Sequence, residues 1–260
     1  MRILFVGDVF GAPGRRAIES RLSPLKSELG VDFCVVNGEN AAEGAGITPR
    51  LAERLLAAGA DVVTLGNHVW RRAELAPYLD EAERVIRPAN LSVRAPGRHV
   101  AVAPAADSTP VAVVNLIGSL FFSEIPHNPF EVVDDVVEEA RRRTPVVVVD
   151  FHAEATSEKI ALARWLDGRV TAVVGTHTHV QTNDARVLPG GTAAITDVGM
   201  TGPHDSVIGV EADLAITRMR TAMPVRFRPA HGDVRIEAVL IECGRDGKAT
   251  SCESLRVEVD

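Results

Sequence analysis

Residues 170–179 read VTAVVGTHTH: an apolar run, a glycine, then polar side chains able to hold a metal or carry a proton. The run is apolar on successive positions, which fits a strand buried on both faces better than one with a wet side. The same order recurs upstream. ILFVGD (3–8), VVNGEN (35–40), VVTLGNH (62–68) and VVVVDFH (146–152) end their apolar runs on Asp8, on Glu39 and Asn40, on Asn67 and His68, and on His152. Segments of helical periodicity lie between them. Such alternation predicts an α/β fold, and in α/β sheets ligands gather outside the carboxyl ends of the strands.

Working outward, the pattern predicts strands at Arg2–Val6, Asp32–Val36, Asp61–Leu65, Pro110–Leu116, Pro145–Phe151 and Val170–Val174. It predicts helices over Arg15–Leu29, where Ile18, Leu22, Leu25 and Leu29 fall at helical spacing, and over Phe130–Arg142 and Ser157–Leu166. Thr48-Pro49 reads as an N-cap followed by proline at the first helical position, opening a helix to Ala58 that Gly59 stops. From Arg186 the runs shorten and alternate. Ala193–Thr196, Val234–Ile241 and Leu255–Val259 are expected to be antiparallel strands with one face partly wet, interrupted by a helix over Glu211–Thr221. No repeat or linker divides the chain, so residues 1–260 are expected to form one domain of two packed sheets with helices outside. Gly118–Pro129 is a candidate loop over an active site.

Composition narrows the function. With 46% apolar residues the chain can bury a large core, and its net charge of -7 argues against a general nucleic-acid binder or an anionic membrane surface. Cys34, Cys243 and Cys252 form no metal or disulfide pattern, and Cys34 reads as a small core residue. The first apolar stretch is too short for a signal peptide, so a cytoplasmic protein is expected.

Each polar strand end alone is a weak signal, since a lone Asp is commonly a cap and a lone His a core residue. Their recurrence at one position relative to a strand is the informative feature. In an extended segment His177 and His179 would point the same way and serve one site. Asp8, Glu39, Asn40, Asn67, His152, His177 and His179 offer oxygen and nitrogen without sulfur, which suits Fe, Mn, Mg or Zn in an open site. Seven candidates exceed the needs of one ion and suit two ions sharing a bridging carboxylate, assigned to Glu39. His68, beside Asn67, is the candidate proton donor. His204, in TGPHDS, is a candidate substrate contact with a turn residue as the other reading. His127 is a candidate member of the loop over the site. Arg71 and Arg72 could hold phosphate, with a helix surface as the plainer reading.

At these residues the chain resembles the calcineurin-like metallophosphoesterases, and within them the YmdB-like branch. The resemblance rests on GDVFGAPGR (7–15), NGENAAEGAGIT (37–48), TLGNHVW (64–70), DFHAEATSEK (150–159), VVGTHTHVQTND (173–184) and ITDVGMTGPHDSVIG (195–209). It implies a four-layer sandwich of two mixed β-sheets flanked by helices. It implies a two-metal site, iron or manganese before magnesium or zinc, on the seven residues above, with His68 as proton donor. It suggests cyclic nucleotides among the substrates. The chain departs from the wider superfamily in having Phe10 in place of the first-motif histidine, Glu39 in place of a bridging Asp, and Val69 in place of an acidic residue after GNH. The expected reaction is attack of metal-activated hydroxide on a phosphodiester, with a small nucleotide as partner, no membrane, no stable nucleic-acid complex and room for a homo-oligomer. The alternatives are a phosphomonoesterase or nucleotidase on the same metals, and a regulatory metal- and nucleotide-binding protein. Catalysis is favoured because a pure binding site needs no proton donor.

Overall fold

The computed structural model describes residues 1–122 and 127–259. The chain begins with β1 (Arg2–Val6), β2 (Asp8–Val9), α1 (Gly11–Leu29), β3 (Phe33–Asn37), α2 (Pro49–Ala57), β4 (Val62–Thr64), α3 (Leu75–Glu81) and β5 (Val85–Ile86). It continues with β6 (Val100–Pro104), β7 (Pro110–Ile117), α4 (Pro129–Arg141), β8 (Val147–His152), α5 (Thr156–Trp165), β9 (Ala172–Thr176), β10 (Arg186–Val187) and β11 (Ala193–Ile195). It returns through β12 (Met200–Pro203), α6 (Ala212–Thr221), β13 (Val234–Cys243) and β14 (Ala249–Glu258).

The first and last groups form one sheet in the order β2-β12-β13-β1-β3-β4-β5, with β14 added on β13. The middle group forms the second, β10-β11-β9-β8-β7-β6. Both are mixed. β1, β3, β4 and β5 run parallel, as do β7, β8, β9 and β11, while β13 opposes β1 and β6 opposes β7.

The continuous apolar runs have a direct explanation in this layering. Along β1, Ile3 and Phe5 enter a core shared with Val113, Val148, Val174 and Ile195 of the other sheet, so this layer lies between the sheets. Leu4 and Val6 enter a second core with Ile18 and Leu22 of α1 and Leu55 of α2. In the second sheet, Val148 faces the inter-sheet layer and Val147 and Val149 face a third core holding Val133 and Val137 of α4 and Leu162 of α5. Helix, sheet, sheet and helix thus make four layers, and these central strands have no wet face to mark with alternation. Each fully buried Leu, Ile or Phe contributes about 1.5–3 kcal/mol, so the three apolar layers carry the fold.

α2 starts as expected, with Thr48 Oγ1 accepting from Leu51 N at 3.3 Å and Pro49 at its first position. Two expectations are corrected. Ala193–Ile195 is not an antiparallel strand with a wet face; β11 pairs parallel with β9, is fully buried, and is opposed only by the two-residue β10. Arg71 and Arg72 sit in turns before α3, not on a helix. The hairpin β13–β14 does have the expected antiparallel pairing and partly wet outer strand. The sequence pattern does not announce α3 or β6: α3 is seven residues with a proline inside it, and β6 is an edge strand that ends at Pro104.

Candidate metal centre

The carboxyl ends of β1, β3 and β4 in one sheet and of β8 and β9 in the other meet at one edge of the sandwich. Asp8 is buried just after β1, its N–H bonded to Gly199 O at 3.1 Å. Glu39 and Asn40 follow β3 and are almost fully buried. Asn67 and His68 follow β4. His152 closes β8 and is fully buried. His177 and His179 follow β9. All seven candidate ligands and His68 therefore converge from both sheets.

The contacts are close. His152 Nε2 lies 3.0 Å from Asn67 Oδ1, 3.3 Å from Glu39 Oε1 and 3.1 Å from His177 Nδ1. His179 Nε2 is 3.0 Å from Asn40 Nδ2 and 3.9 Å from Asp8 Oδ1. Ligand atoms of Glu39, His152 and His177 lie within 4.8 Å of one another. Gly66 makes room for this packing, since a Cβ there would stand 2.5 Å from both Glu39 Oε2 and His152 Nε2.

These residues fit cations on two counts. First, Asp8 Oδ1 and Glu39 Oε1 are buried carboxylate oxygens without a hydrogen-bond partner among the described residues, a costly arrangement that a cation would offset. Second, each histidine is held by its outer nitrogen while its inner nitrogen faces the cluster. Thr176 Oγ1 donates to Asp150 Oδ1 at 2.7 Å, so it must accept from His152 Nδ1 at 2.9 Å. His177 Nε2 is 3.1 Å from Glu154 Oε2, and His179 Nδ1 donates to Ile208 O at 2.9 Å. Carboxylate, hydroxyl and carbonyl partners on the outer nitrogen are the usual support of metal-binding imidazoles.

The backbone around HTH differs from expectation. The segment is not extended: His177 and His179 have φ of 102° and 63°, in the left-handed region that non-glycine residues seldom adopt. Both rings still reach the cluster, with Thr178 turned the other way. Asp197 Oδ2 accepts from Thr178 N at 3.0 Å and Thr178 Oγ1 at 2.8 Å, and is itself paired with the buried Lys159 Nζ at 2.7 Å. That buried clamp holds the strained turn.

Sequence reasoning misses Asp150, Asn37, Asp197, Lys159 and Glu154 as site residues. Asn37 Nδ2 donates to Asp150 Oδ2 at 2.9 Å, and Asn37 Oδ1 accepts from Glu39 N at 3.1 Å. A signal exists for one of them: Asp150 precedes His152 by two residues within β8, which puts the pair on one strand face. Other candidates lie away from the cluster. The ring of His204 is bonded to Gly202 O at 3.0 Å and lies 3.4 Å from Glu237 Oε2, outside the pocket lining. Arg72 donates to Ala42 O at 2.8 Å, tying down the loop after Asn40. His127 is exposed, its backbone bonded to Asn90. Of the candidate loop 118–129, residues 123–126 lie outside the described residues; Phe122 before them packs 4.9 Å from the His177 ring.

Charge follows from this packing. Burial works to keep His152 neutral, yet Glu39, Asp8 and Asp150 outweigh it and push the ring up to about 9. Burial and the neighbouring His152 bring His177 down to about 2. Burial raises Asp150 to about 6. In metal-free protein the raised His152 stabilises the fold fully below its ordinary 6.5, and that stabilisation is lost as pH rises through about 9. His177 is neutral in both states above 6.5 and is silent in this window. Chelator-treated protein should therefore lose up to about 3 kcal/mol between these limits in denaturant titrations, and a His152→Asn variant should lose much less. A flat wild-type profile would remove the charged imidazole from the cluster.

The chain has clear relatives among known proteins. The chain matches the model of the family described as YmdB-like protein over residues 4–255. It is 44% identical over 261 residues to a 2',3'-cyclic-nucleotide 2'-phosphodiesterase of Bacillus subtilis (strain 168), covering 100% of this chain and 98% of that protein. A crystal structure of a hypothetical protein from Thermus thermophilus superposes with a TM-score of 0.93 at 40% identity, covering 100% of both chains. A crystal structure of a phosphatase from Mycoplasma pneumoniae gives 0.91 at 34% identity, covering 100% of this chain and 94% of that one. With the match running through every strand end that carries the cluster, the chain belongs to the YmdB-like family.

Proposed function

We propose that the protein is a two-metal phosphodiesterase acting on cyclic nucleotides, with iron or manganese as its metals and the cytoplasm as its compartment. The observation that carries this reading is the pair of unpartnered buried oxygens, Asp8 Oδ1 and Glu39 Oε1, among three imidazoles whose outer nitrogens are already held. The substrate class comes from the name of the Bacillus subtilis relative.

Asp8, Glu39, Asn40, Asn67, His152, His177 and His179 would hold the cations, with Glu39 between them. Two cations so bound supply positive charge to a phosphoryl group and acidity to a water. The protein's own groups do the rest. His68 Nδ1 lies 2.8 Å from Asn40 Oδ1, an acceptor, so its Nδ1 holds a proton. That leaves Nε2 as the nitrogen from which a proton would pass to the departing ribose oxygen. Glu39 Oε2 also accepts from His68 N at 3.0 Å, which sets the ring's approach. Phe10, edge-on to His179 at 5.5 Å, and Phe122, 4.9 Å from the His177 ring, pack against these imidazoles.

A test is turnover of cyclic nucleotides, aryl diesters and monoesters by protein of defined metal content. Diesters should be hydrolysed by the loaded protein, activity should vanish with chelation, and elemental analysis should count two ions per chain. Hydrolysis of monoesters alone would overturn the diesterase reading, and one ion per chain at full activity would overturn the two-metal reading.

A further inference from the structure

The cavity at the cluster is larger than a phosphate needs. It measures about 520 Å³ and runs from Glu39, His68 and His177 to a wall of Phe10, Ile208, Val210, Phe227 and Pro229. Sites of a few hundred Å³, with a few polar groups at one end and an apolar remainder, are typical of small organic ligands. The far wall needs an explanation, because two of its large apolar side chains are not buried. Ile208 is 52% exposed and Phe227 is 40% exposed.

Both side chains are held in place. Ile208 has φ of 47°, an unusual and strained conformation for a β-branched residue. Its carbonyl is the acceptor for His179 Nδ1, so the strained residue that orients a cluster histidine also sets its own side chain over the cavity. Phe227 lies in the irregular segment after α6. Arg218 sits 5.1 Å from its ring centroid, a cation–π contact that steadies the ring. The segment is tied back by Glu211 N to Arg228 O at 3.1 Å, Ala230 N to Gly209 O at 2.8 Å, and the Arg228–Glu211 ion pair at 2.8 Å.

We propose that Phe227 and Ile208 form the base subsite of this cavity, taking the flat face of a nucleobase whose phosphate lies at the Glu39–His177 cluster. The proposal rests on the phosphodiesterase reading and names the part of the substrate that the apolar wall receives. At that end the lining offers no buried hydrogen-bonding side chain among the described residues; Arg228 is already paired with Glu211, and Glu43 is exposed. Recognition is therefore by stacking, which every base satisfies, and the enzyme should accept all four bases while requiring one.

The test compares two substrates. One is adenosine 2',3'-cyclic phosphate; the other is ribose 2',3'-cyclic phosphate, which has the same reacting group and no base. Wild type should strongly prefer the nucleotide. Phe227→Ala should raise KM for it by roughly 5–100-fold, the range of a lost base–aromatic stack, with kcat little changed. The same variant should leave the abasic substrate untouched, and Phe227→Trp should restore the nucleotide preference. Adenosine binding by calorimetry, which needs no turnover, should weaken in parallel. Equal effects on both substrates, or none on the nucleotide, would overturn the base subsite. Wild type that hydrolyses both substrates equally well would overturn it too while leaving the phosphodiesterase reading intact. Hydrolysis of neither would overturn both.

Discussion

Glu39→Ala is expected to lose its cations and its turnover together, with activity down by roughly 10³-fold or more, the upper range for loss of one electrostatic stabiliser. Glu39 is almost fully buried, and its two oxygens serve different partners. Oε1 faces His152 and His68, while Oε2 accepts from the His68 backbone. Glu39→Gln separates these roles, because an amide can keep the backbone bond but carries no charge. If charge between the cations is what matters, the glutamine variant should keep the fold, as judged by thermal unfolding, and still lose metal. Elemental analysis and turnover on one preparation decide the matter. An alanine variant with two ions per chain and normal turnover would show that Glu39 is not the bridge.

His68→Ala should behave in the opposite way toward metal. It should keep both ions and its fold yet lose roughly 10²–10⁴-fold in turnover, the usual contribution of general acid catalysis. His68 contacts Asn40 and Glu39, but its ring is partly exposed at the cavity, unlike the fully buried His152. The deficit should shrink on an aryl diester, whose leaving group departs without a proton, and appear in full on a ribose leaving group. Single-turnover kinetics would ensure that chemistry is being compared. An equal deficit on both substrates would assign His68 to positioning phosphate or water. Loss of an ion would make it a ligand.

The strand ends are legible because a polar residue after a long apolar run stands out. The residues behind them are not. Asp150 and Asn37 lie inside their strands, 113 positions apart, and meet only because β3 and β8 belong to sheets that pack face to face. A lone polar residue within an apolar run reads as an interruption until its partner is known. Lys159 and Asp197 are similar: a helix lysine reads as solvated, and only the fold buries it against the turn beneath His177. The left-handed backbone at His177 and His179 has no residue-type signal, since neither position is glycine. The parallel pairing of β11 escapes the pattern because a strand of three residues is too short to display a period.

The cluster draws Asp8, Glu39, Asn40, Asn67 and His68 from one sheet and His152, His177 and His179 from the other. Its contacts join residues far apart in the chain: His177 N donates to Asp8 Oδ2, 169 positions away. Contacts of such sequence separation form late and slow the search for the native state. Neither sheet by itself carries the whole cluster. If such contacts form after the rate-limiting step, occupancy at the seam would act on the rate of unfolding more than on that of folding. The same edge that gathers the reactive groups would then also act as a latch between the two sheets.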